Sequence, residues 1–432
     1  MMTPAGRLLM LAAAVALPAS AIAGAAPALF VPAAGVIAAC AILAAADAIL
    51  GARRAARIDA HLPDMVRLTK DVSTTVPLTV ENRFPGKLRI RVAIGMPGGV
   101  IPERLAEEIE SAPGTCRLGW QCTPRIRGDH PLREVYLETA SPLGLWAVRV
   151  CRPVLANLRV YPNLRDSATA TLFLRSADLG GRTHPRLGKG REFDNLRHYV
   201  SGDNYEDIDW KATARRGFPV VKLYQVQHAQ EVYAIVDSSR LSAREGILES
   251  YVGAALQLAL VAERQGDRFG LATFSNHTQR FLRARSGLGH FRLCRETIYN
   301  LKAERVSPDF DEVFGTLQLN LRRRALLVFF TSLDDALLAE TFVRQISLLS
   351  RRHLVLVNVT ESADLRPLFA GDPPDTLEDV YGGLTRQMLR NRMRELQLAL
   401  ENKGVKLSLV DSARMKFQVA SQYLDVKRRQ AL

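Results

Sequence analysis

The N-terminal part of the chain contains an apolar run in which no charged residue lies between Arg7 and Asp47. The run consists mainly of Ala, Leu, Val and Ile, and it is too long for a single membrane span of about 20 residues. Gly24 and Pro27 lie near its middle and divide it into two apolar segments, about 8–24 and 28–50. The sequence therefore predicts two N-terminal transmembrane helices that form a hairpin within residues 1–60.

A cleaved signal peptide is the alternative interpretation of this run. Arg7, the apolar stretch and the small residues at 19–23 occur in the order that such a peptide requires. A soluble Ala-rich hairpin is a third interpretation, but it would need a partner to cover an entirely apolar surface. With either membrane interpretation, Arg53, Arg54 and Arg57 follow the last span and predict that the rest of the chain lies in the cytoplasm.

Short runs of alternating apolar and polar residues follow between residues 61 and 165. Alternation with a period of two, interrupted by Pro and Gly, is typical of antiparallel strands with one buried face. The predicted strands are 76–80, 88–94, 135–139, 145–150 and 158–161. This pattern predicts a β-sandwich-like domain, in which we recognise no catalytic constellation.

The densest polar cluster lies at residues 188–216, inside a charged connector predicted to span 166–230. Acidic and basic side chains are nearly balanced there, and aromatic residues lie between them. One interpretation is a recognition or phosphate site that uses the amides of Gly188 and Gly190 with Arg191. The others are a salt-bridged connector that clamps two domains and a group of carboxylates that binds a divalent metal. Because Gly-x-Gly alone is a weak phosphate signal, the salt-bridged connector is favoured.

Four runs in this cluster are recognisable: 190–193 (Gly-Arg-Glu-Phe), 196–199 (Leu-Arg-His-Tyr), 201–203 (Ser-Gly-Asp) and 208–215 (Ile-Asp-Trp-Lys-Ala-Thr-Ala-Arg). With the upstream run 141–146 (Ser-Pro-Leu-Gly-Leu-Trp), they resemble the bacterial family catalogued as domain of unknown function 58 (DUF58). The motif residues implied by this resemblance are Gly190, Glu192, Phe193, Arg197, Tyr199, Gly202, Asp203, Asp209, Trp210, Lys211 and Arg215. Ser201 and Glu206 depart from the family pattern, and Glu206 reverses a charge, which argues against an anion-binding role for that loop.

After residue 230 the pattern changes to apolar strands that alternate with helices. Strands are predicted at 232–236, 269–274, 325–330, 354–359 and 405–410, and helices near 244–264, 288–303, 311–322, 337–351 and 385–402. Near-continuous apolar strands separated by helices indicate a doubly wound parallel sheet covered on both faces. This α/β domain is predicted to span 231–415, and residues 416–432 are predicted to form a basic C-terminal helix or tail.

Polar residues follow the first and third of these strands. Asp237, Ser239, Thr331, Ser332 and Asp334 all lie at carboxyl ends of strands, where ligands bind in this fold class. A carboxylate, a hydroxyl and waters can hold Mg²⁺, so Asp237, Ser239 and Asp334 are the candidate metal ligands. The alternative is that these polar residues cap helices and turns.

The DUF58 resemblance implies a von Willebrand factor type A-like fold for the α/β domain, because the family carries such a domain next to its signature. The candidate metal site then resembles the metal-ion-dependent adhesion site of these domains, which begins with Asp-x-Ser-x-Ser. Here Leu241 replaces the third ligand, Ser332 stands where an Asp is expected, and Ser307 is the one candidate in the third loop. The predicted site is therefore degenerate.

Charge and motif content exclude several classes of function. The net charge is +14, but the excess is dispersed among carboxylates, so nucleic acid is not an expected partner. The five cysteines show no zinc-binding spacing. The sequence contains no P-loop, no Gly-x-Ser-x-Gly elbow and no HExxH motif. Together these observations predict a protein that is not an enzyme.

Members of the DUF58 family resemble partners of MoxR-type AAA+ ATPases, which are thought to act as chaperones that assemble or activate other complexes. The resemblance implies a non-enzymatic scaffold of the bacterial inner membrane, multi-pass, with its soluble domains in the cytoplasm. Its expected partners are such an ATPase, other membrane proteins and membrane lipid, and the motif around Asp203, Asp209, Trp210 and Arg215 fixes its domain arrangement. The alternative is a metal-dependent hydrolase that acts on cell-envelope material. The juxtamembrane arginines also predict contact with anionic lipid.

Overall fold

The structure is a computed structural model, and it describes residues 1–25, 30–164, 187–201, 203–225, 229–244, 246–360 and 377–429. The chain divides into two compact units, Met1–Asn163 and Leu164–Leu432. Each unit has its own hydrophobic core and is described by itself.

Two helices, α1 (Gly6–Ala25) and α2 (Phe30–Ala55), occupy the apolar N-terminal run. By length and composition α2 is able to cross a membrane, whereas the apolar stretch found in α1, Gly6–Ser20, is shorter than a full span. Arg53 and Arg54 lie in the last turn of α2, where cations interact favourably with the helix dipole. An apolar helix near the N-terminus is thus present and is a hint of membrane association.

Ten strands complete the first unit: β1 (Met2–Pro4), β2 (Ile58–His61), β3 (Met65–Thr69), β4 (Thr74–Asn82), β5 (Leu88–Ile94), β6 (Val100–Pro102), β7 (Glu107–Ser111), β8 (Gly114–Pro124), β9 (Gly128–Ala140) and β10 (Trp146–Tyr161). One sheet has the order β1-β10-β9-β5-β7, with β3 beside β10, and the other has the order β2-β4-β8-β6. Leu78 and Trp120 from the second sheet pack in the same buried cluster as Ile90 and Leu158 from the first. The alternating apolar residues of the two sheets therefore form one shared core.

Strand β10 differs from its prediction, because residues 145–150 and 158–161 belong to one strand instead of two. Its pairing with β9 shifts between Pro153 and Ala156. Pro153 has no N–H to donate, and the strand accommodates it with a local irregularity in the ladder rather than by ending there. Strand β1, which has no counterpart among the predicted strands, pairs antiparallel with Trp146–Val148 of β10.

The carboxylate of Asp47 joins α2 to the turn between β9 and β10. Asp47 is almost completely buried, and it accepts hydrogen bonds from the Ser141 hydroxyl and from the backbone amides of Leu143 (2.9 Å) and Leu145 (3.3 Å). The Trp146 indole adds a bond from its Nε1–H to the carbonyl of Ala44 (2.9 Å). The 141–146 run is thus a turn that encloses one carboxylate of the helix.

Replacing Asp47 with Ala should destabilise the first unit by roughly 2–3 kcal/mol, because buried donors of the turn lose their acceptor. Denaturation of the full-length protein in detergent, followed by Trp fluorescence, measures the change. Asp64→Ala is the matched control, because Asp64 is exposed and we expect this substitution to be neutral. Equal stability of the two variants would contradict the assigned role of Asp47.

The second unit contains a six-stranded sheet of the order β15-β14-β13-β16-β17-β18. Its strands are β13 (Glu231–Asp237), β14 (Arg268–Phe274), β15 (Thr278–Arg285), β16 (Ala325–Phe330), β17 (Leu354–Thr360) and β18 (Val405–Val410). All neighbouring pairs are parallel except β14 with β15, which is antiparallel. The five predicted strands are confirmed, and the sheet is doubly wound around the central strand β13.

Helices cover both faces of this sheet: α4 (Ile247–Arg264), α5 (Leu288–Ile298), α6 (Phe310–Asn320), α7 (Ala336–Ser350), α8 (Leu377–Glu401) and α9 (Met415–Arg428). Along β13, Val232, Ala234 and Val236 pack against the face covered by α4 and α9. Tyr233 and Ile235 pack against the opposite face. Burial on both faces explains why these strands consist of almost uninterrupted apolar residues.

The C-terminal segment forms a helix, α9, which is one of the two predicted forms, but this helix is part of the α/β core. Its Tyr423 is fully buried and donates its hydroxyl hydrogen to Asp267, which also accepts a bond from Lys427 Nζ (2.9 Å). Val419 and Leu424 pack in the cluster formed with α4. The α/β domain therefore extends beyond residue 415, and Lys427 compensates a buried carboxylate instead of lying in solvent.

Candidate functional site

The recognised motif folds as a hairpin at the start of the second unit. Strand β11 (Leu187–His198) pairs antiparallel with β12 (Val220–Gln225). The segment that joins them contains a short helix, α3 (Trp210–Arg216), which ends at Gly217 in the left-handed region with a φ of 74°. Glycine adopts this conformation at no steric cost, so the chain can turn directly from α3 into β12.

Asp203 holds the first turn of this hairpin. Its carboxylate accepts a bond from Arg197 Nη2 (2.6 Å) and another from the backbone amide of Val200 (2.9 Å). The Val200 amide, together with the Arg197 guanidinium, lowers the pKa of Asp203 below its usual value. The turn is therefore held by a charged carboxylate at neutral pH.

Asp209 is the N-cap of α3. Its Oδ1 accepts bonds from the amides of Lys211 and Ala212, both at 3.1 Å, and Lys222 Nζ lies 3.5 Å from its Oδ2. The Ala212 amide is the main cause of the lowered pKa of Asp209, and Lys222 contributes. At the other end of the helix, the Thr213 hydroxyl accepts a bond from the amide of Val220 (3.1 Å).

Two large aromatic side chains of the hairpin remain in solvent. Trp210 is 68% exposed and Tyr205 is 74% exposed. The ring centroids of Tyr205 and Tyr199 are 5.9 Å apart. The ring of His198 stacks on that of Phe218, with 4.2 Å between their centroids. The hairpin thus presents aromatic surface on a frame that Asp203 and Asp209 brace.

The remaining motif residues have different surroundings. Lys211 and Arg215 are exposed. Glu192 and Phe193 lie on β11 opposite Gln225 and Tyr224 in the register of the hairpin, and Gly190 lies on the same strand. Gly202 lies outside the described residues. The hypothesis that the connector carboxylates bind a metal is not favoured, because Asp203 and Asp209 are both bonded to backbone amides and approached by cations.

The second candidate site lies at the carboxyl edge of the sheet. Asp237 is fully buried at the end of β13, and burial raises the pKa of its carboxyl group. Its Oδ1 accepts a bond from the amide of Ser239 (2.8 Å), and its Oδ2 accepts one from the hydroxyl of Thr331 (2.6 Å). The structure therefore brings Asp237 and Thr331 together, as expected for ends of adjacent parallel strands.

The predicted metal ligands at this edge are occupied by protein partners. Both oxygens of Asp237 accept hydrogen bonds, the Ser239 hydroxyl accepts one from the amide of Leu241 (3.3 Å), and Asp334 pairs with Arg244 (3.3 Å). In the part of the chain that the structure describes, no group of three or more His, Cys, Asp or Glu residues could hold a metal ion. Mg²⁺ usually binds through one or two carboxylates and keeps several waters, but here hydrogen-bond donors engage both oxygens of Asp237 and a cation pairs with Asp334, so the residues present fit an Mg²⁺ site poorly.

Residues 195–394 match the family described as Protein of unknown function DUF58. This segment is a DUF58 region. The match begins inside the recognised motif and continues through most of the α/β domain, so the resemblance is confirmed. The von Willebrand A-like architecture is consistent with the sheet order and the antiparallel edge strand β15.

Proteins similar to this chain include uncharacterized proteins of Mycobacterium bovis and Mycobacterium tuberculosis, each 26% identical over 207 residues. The match covers 46% of this chain and 64% of theirs, so the chain spans less than two thirds of the relatives' length. Similar solved structures are the SpRpn10 VWA domain and BatB from Bacteroides thetaiotaomicron. The SpRpn10 domain is 10% identical, covers 45% of this chain and 95% of its own, and has a TM-score of 0.28. BatB is 13% identical, covers 46% of this chain and 99% of its own, and has a TM-score of 0.29.

Sequence reasoning did not identify Arg240 and Arg244, which follow β13 and interact with carboxylates after β16. The available signal was charge complementarity: two arginines follow one strand, and Asp334 and Asp335 follow the adjacent one. Spacing alone does not show which strands are neighbours in the sheet, so the pairing becomes visible only in three dimensions.

Replacing Asp209 with Ala should loosen α3 and the turn before β12, because the amides of Lys211 and Ala212 lose their cap. Hydrogen exchange of peptides that cover residues 203–217, measured by mass spectrometry, should become severalfold faster. Glu206→Ala is the matched control, since Glu206 is an exposed acidic residue of the same segment. Unchanged exchange in the Asp209→Ala variant would show that the cap does not order this segment.

Proposed function

We propose that this DUF58 protein is a non-enzymatic, membrane-anchored scaffold whose hairpin binds a MoxR-type AAA+ ATPase. The observation that supports the proposal most is the exposure of Trp210 and Tyr205 on a braced loop. Exposed Trp and Tyr side chains are typical anchors of protein interfaces. The identity of the partner rests on the family resemblance.

The roles of the acidic motif residues also favour binding over chemistry. A general acid or base needs a carboxyl group with access to a substrate, whereas Asp203 and Asp209 are engaged with backbone amides and basic side chains. Their effect is to fix the position of the loop that carries the aromatic side chains. A preformed loop loses little conformational freedom on binding, which favours affinity.

The described residues provide no specific observation that favours the hydrolase alternative. Such an enzyme would need a bound metal and a base, and Asp237 and Asp334 are instead bonded to Ser239, Thr331 and Arg244. We therefore retain the scaffold as the proposed function.

Replacing Trp210 with Ala should abolish or strongly weaken recovery of the AAA+ ATPase when the full-length protein is purified from solubilised membranes in the presence of ATP. An exposed anchor typically contributes 2 kcal/mol or more to binding, which is about a thirtyfold loss of affinity. Because the side chain is exposed, this variant should fold normally, unlike Asp209→Ala.

The matched control is Leu319→Ala, since Leu319 is 83% exposed on α6 and lies far from the motif in the sequence. This variant should recover the ATPase as the wild type does. Mass spectrometry identifies the captured ATPase. Absence of the ATPase from the wild-type sample, or equal recovery of the ATPase with Trp210→Ala and with the wild type, would contradict the proposal.

We also propose that α1 is retained in the mature protein and that both ends of the helical pair face the cytoplasm. Strand β1 immediately precedes α1 and pairs with β10, while Arg152 of β10 donates hydrogen bonds to the carbonyls of Ala56 and Ile58 after α2 (both 2.8 Å). The start of α1 and the end of α2 thus contact the same strand. Cleavage after residue 23 would remove a strand of the sheet, which favours a hairpin over a signal peptide.

A tag placed before Met1 should be protected from protease added to intact spheroplasts and digested in inverted membrane vesicles. Peptides from residues 1–25 should also be present in the purified protein. The tag of a protein with a known periplasmic N-terminus serves as the control. Digestion in intact spheroplasts, or a mature chain that begins near residue 24, would overturn this topology.

A further inference from the structure

Three loops meet at the carboxyl edge of the sheet around Arg240. This residue follows β13, and its Nε donates a hydrogen bond to the hydroxyl of Ser307 (2.9 Å), in the loop before α6. Its Nη2 donates one to Oδ2 of Asp335 (2.9 Å), in the loop after β16. We infer that the Arg240 guanidinium holds these three loops together in place of a divalent cation, so that this edge is assembled without metal.

The loops are also joined close to Arg240 by other contacts. The Arg240 amide donates to the carbonyl of Val306 (2.9 Å), and the amide of Glu304 donates to the carbonyl of Ser238 (2.7 Å). Arg244 Nη1 lies 3.3 Å from Oδ2 of Asp334. Two arginines of the first loop therefore pair with two aspartates of the third loop.

Asp335 ties this cross-link to the helix that follows it. Its Oδ1 accepts hydrogen bonds from the amides of Leu337 (3.1 Å) and Leu338 (3.5 Å), so it is the N-cap of α7. The Arg240 guanidinium is the first cause of the lowered pKa of Asp335. One carboxylate thus binds both the guanidinium and the first turn of a helix.

The hydroxyl groups at this edge are held in position by hydrogen bonds within the protein. Thr331 donates to Asp237, and the Ser242 hydroxyl donates to the Asp237 carbonyl (2.7 Å). Among the carboxylate oxygens of this edge, Asp334 Oδ1 is buried without a hydrogen-bond partner. A water molecule can satisfy this oxygen. The arginines beside Asp334 and Asp335 repel a divalent cation from these carboxylates.

A guanidinium is suited to this task for physical reasons. It remains charged at all physiological pH values and presents several N–H donors in a fixed plane, so one group can bond to two loops at once. Its position does not depend on the concentration of a divalent ion. A partner that binds this edge would therefore meet the same surface with or without Mg²⁺.

Hydrogen exchange of the full-length protein in detergent tests this inference, with peptides that cover residues 237–244, 304–309 and 332–338. In the wild type, exchange should be the same in millimolar Mg²⁺, in Mn²⁺ and in EDTA. Arg240→Gln should accelerate exchange severalfold in all three peptides, because the cross-link is lost. Arg280→Gln is the matched control, since Arg280 is an exposed arginine on the edge strand β15 of the same sheet, and it should leave these peptides unchanged.

Two results would overturn the inference. One is slower exchange of these wild-type peptides in Mg²⁺ or Mn²⁺ than in EDTA. If the Asp237→Asn variant did not show this slowing, a metal site would be established. The other is an Arg240→Gln variant that exchanges no faster than Arg280→Gln. If Arg240→Gln does not fold, Arg240→Lys takes its place, because Lys keeps the charge but lacks the planar guanidinium. Arg240→Lys should accelerate exchange by a smaller factor, and unchanged exchange in this variant would equally overturn the inference.

Discussion

Aspartate carboxylates that accept hydrogen bonds from backbone N–H groups hold the loops of this chain in place. Asp47 accepts from the turn between two strands, Asp203 and Asp209 from the DUF58 hairpin, and Asp237 and Asp335 from the ends of the parallel sheet. Asp203, Asp209 and Asp335 have lowered pKa values and are charged acceptors, which form stronger hydrogen bonds than neutral ones. Each of these aspartates fixes a short loop that would otherwise present unpaired amide groups, and the neighbouring elements depend on the position of that loop.

This use of the aspartates determines what the loops can do. A carboxylate bonded to amides and to arginine has few oxygen lone pairs left for a metal ion or for proton transfer. At the sheet edge, Arg240 and Arg244 pair with Asp335 and Asp334. In the hairpin, Arg197 pairs with Asp203. These charged residues thus fix the shape of the loops that carry them.

Much of the fold could be predicted from the sequence, because buried parallel strands must be apolar on both faces. Strand β15 could not, since the three arginines within it, Arg280, Arg283 and Arg285, make it resemble a solvated segment. The C-terminal segment was predicted as a basic helix or tail outside the α/β domain, because its sequence does not reveal the contact of Lys427 with Asp267. At the sites, residue types at strand ends were predictable, but their partners were not, since pairing depends on strand order and on side-chain geometry.

The two surfaces that the proposed function uses, the hairpin and the sheet edge, share one physical condition. An exposed aromatic anchor is useful only if its loop is already ordered, because ordering a loop on binding costs conformational entropy. In the hairpin, the Asp203 and Asp209 braces supply this order while Trp210 remains exposed. At the sheet edge, the Arg240 cross-link supplies it without an added ion. Both surfaces are therefore ordered in advance, which is what the proposed scaffold function requires.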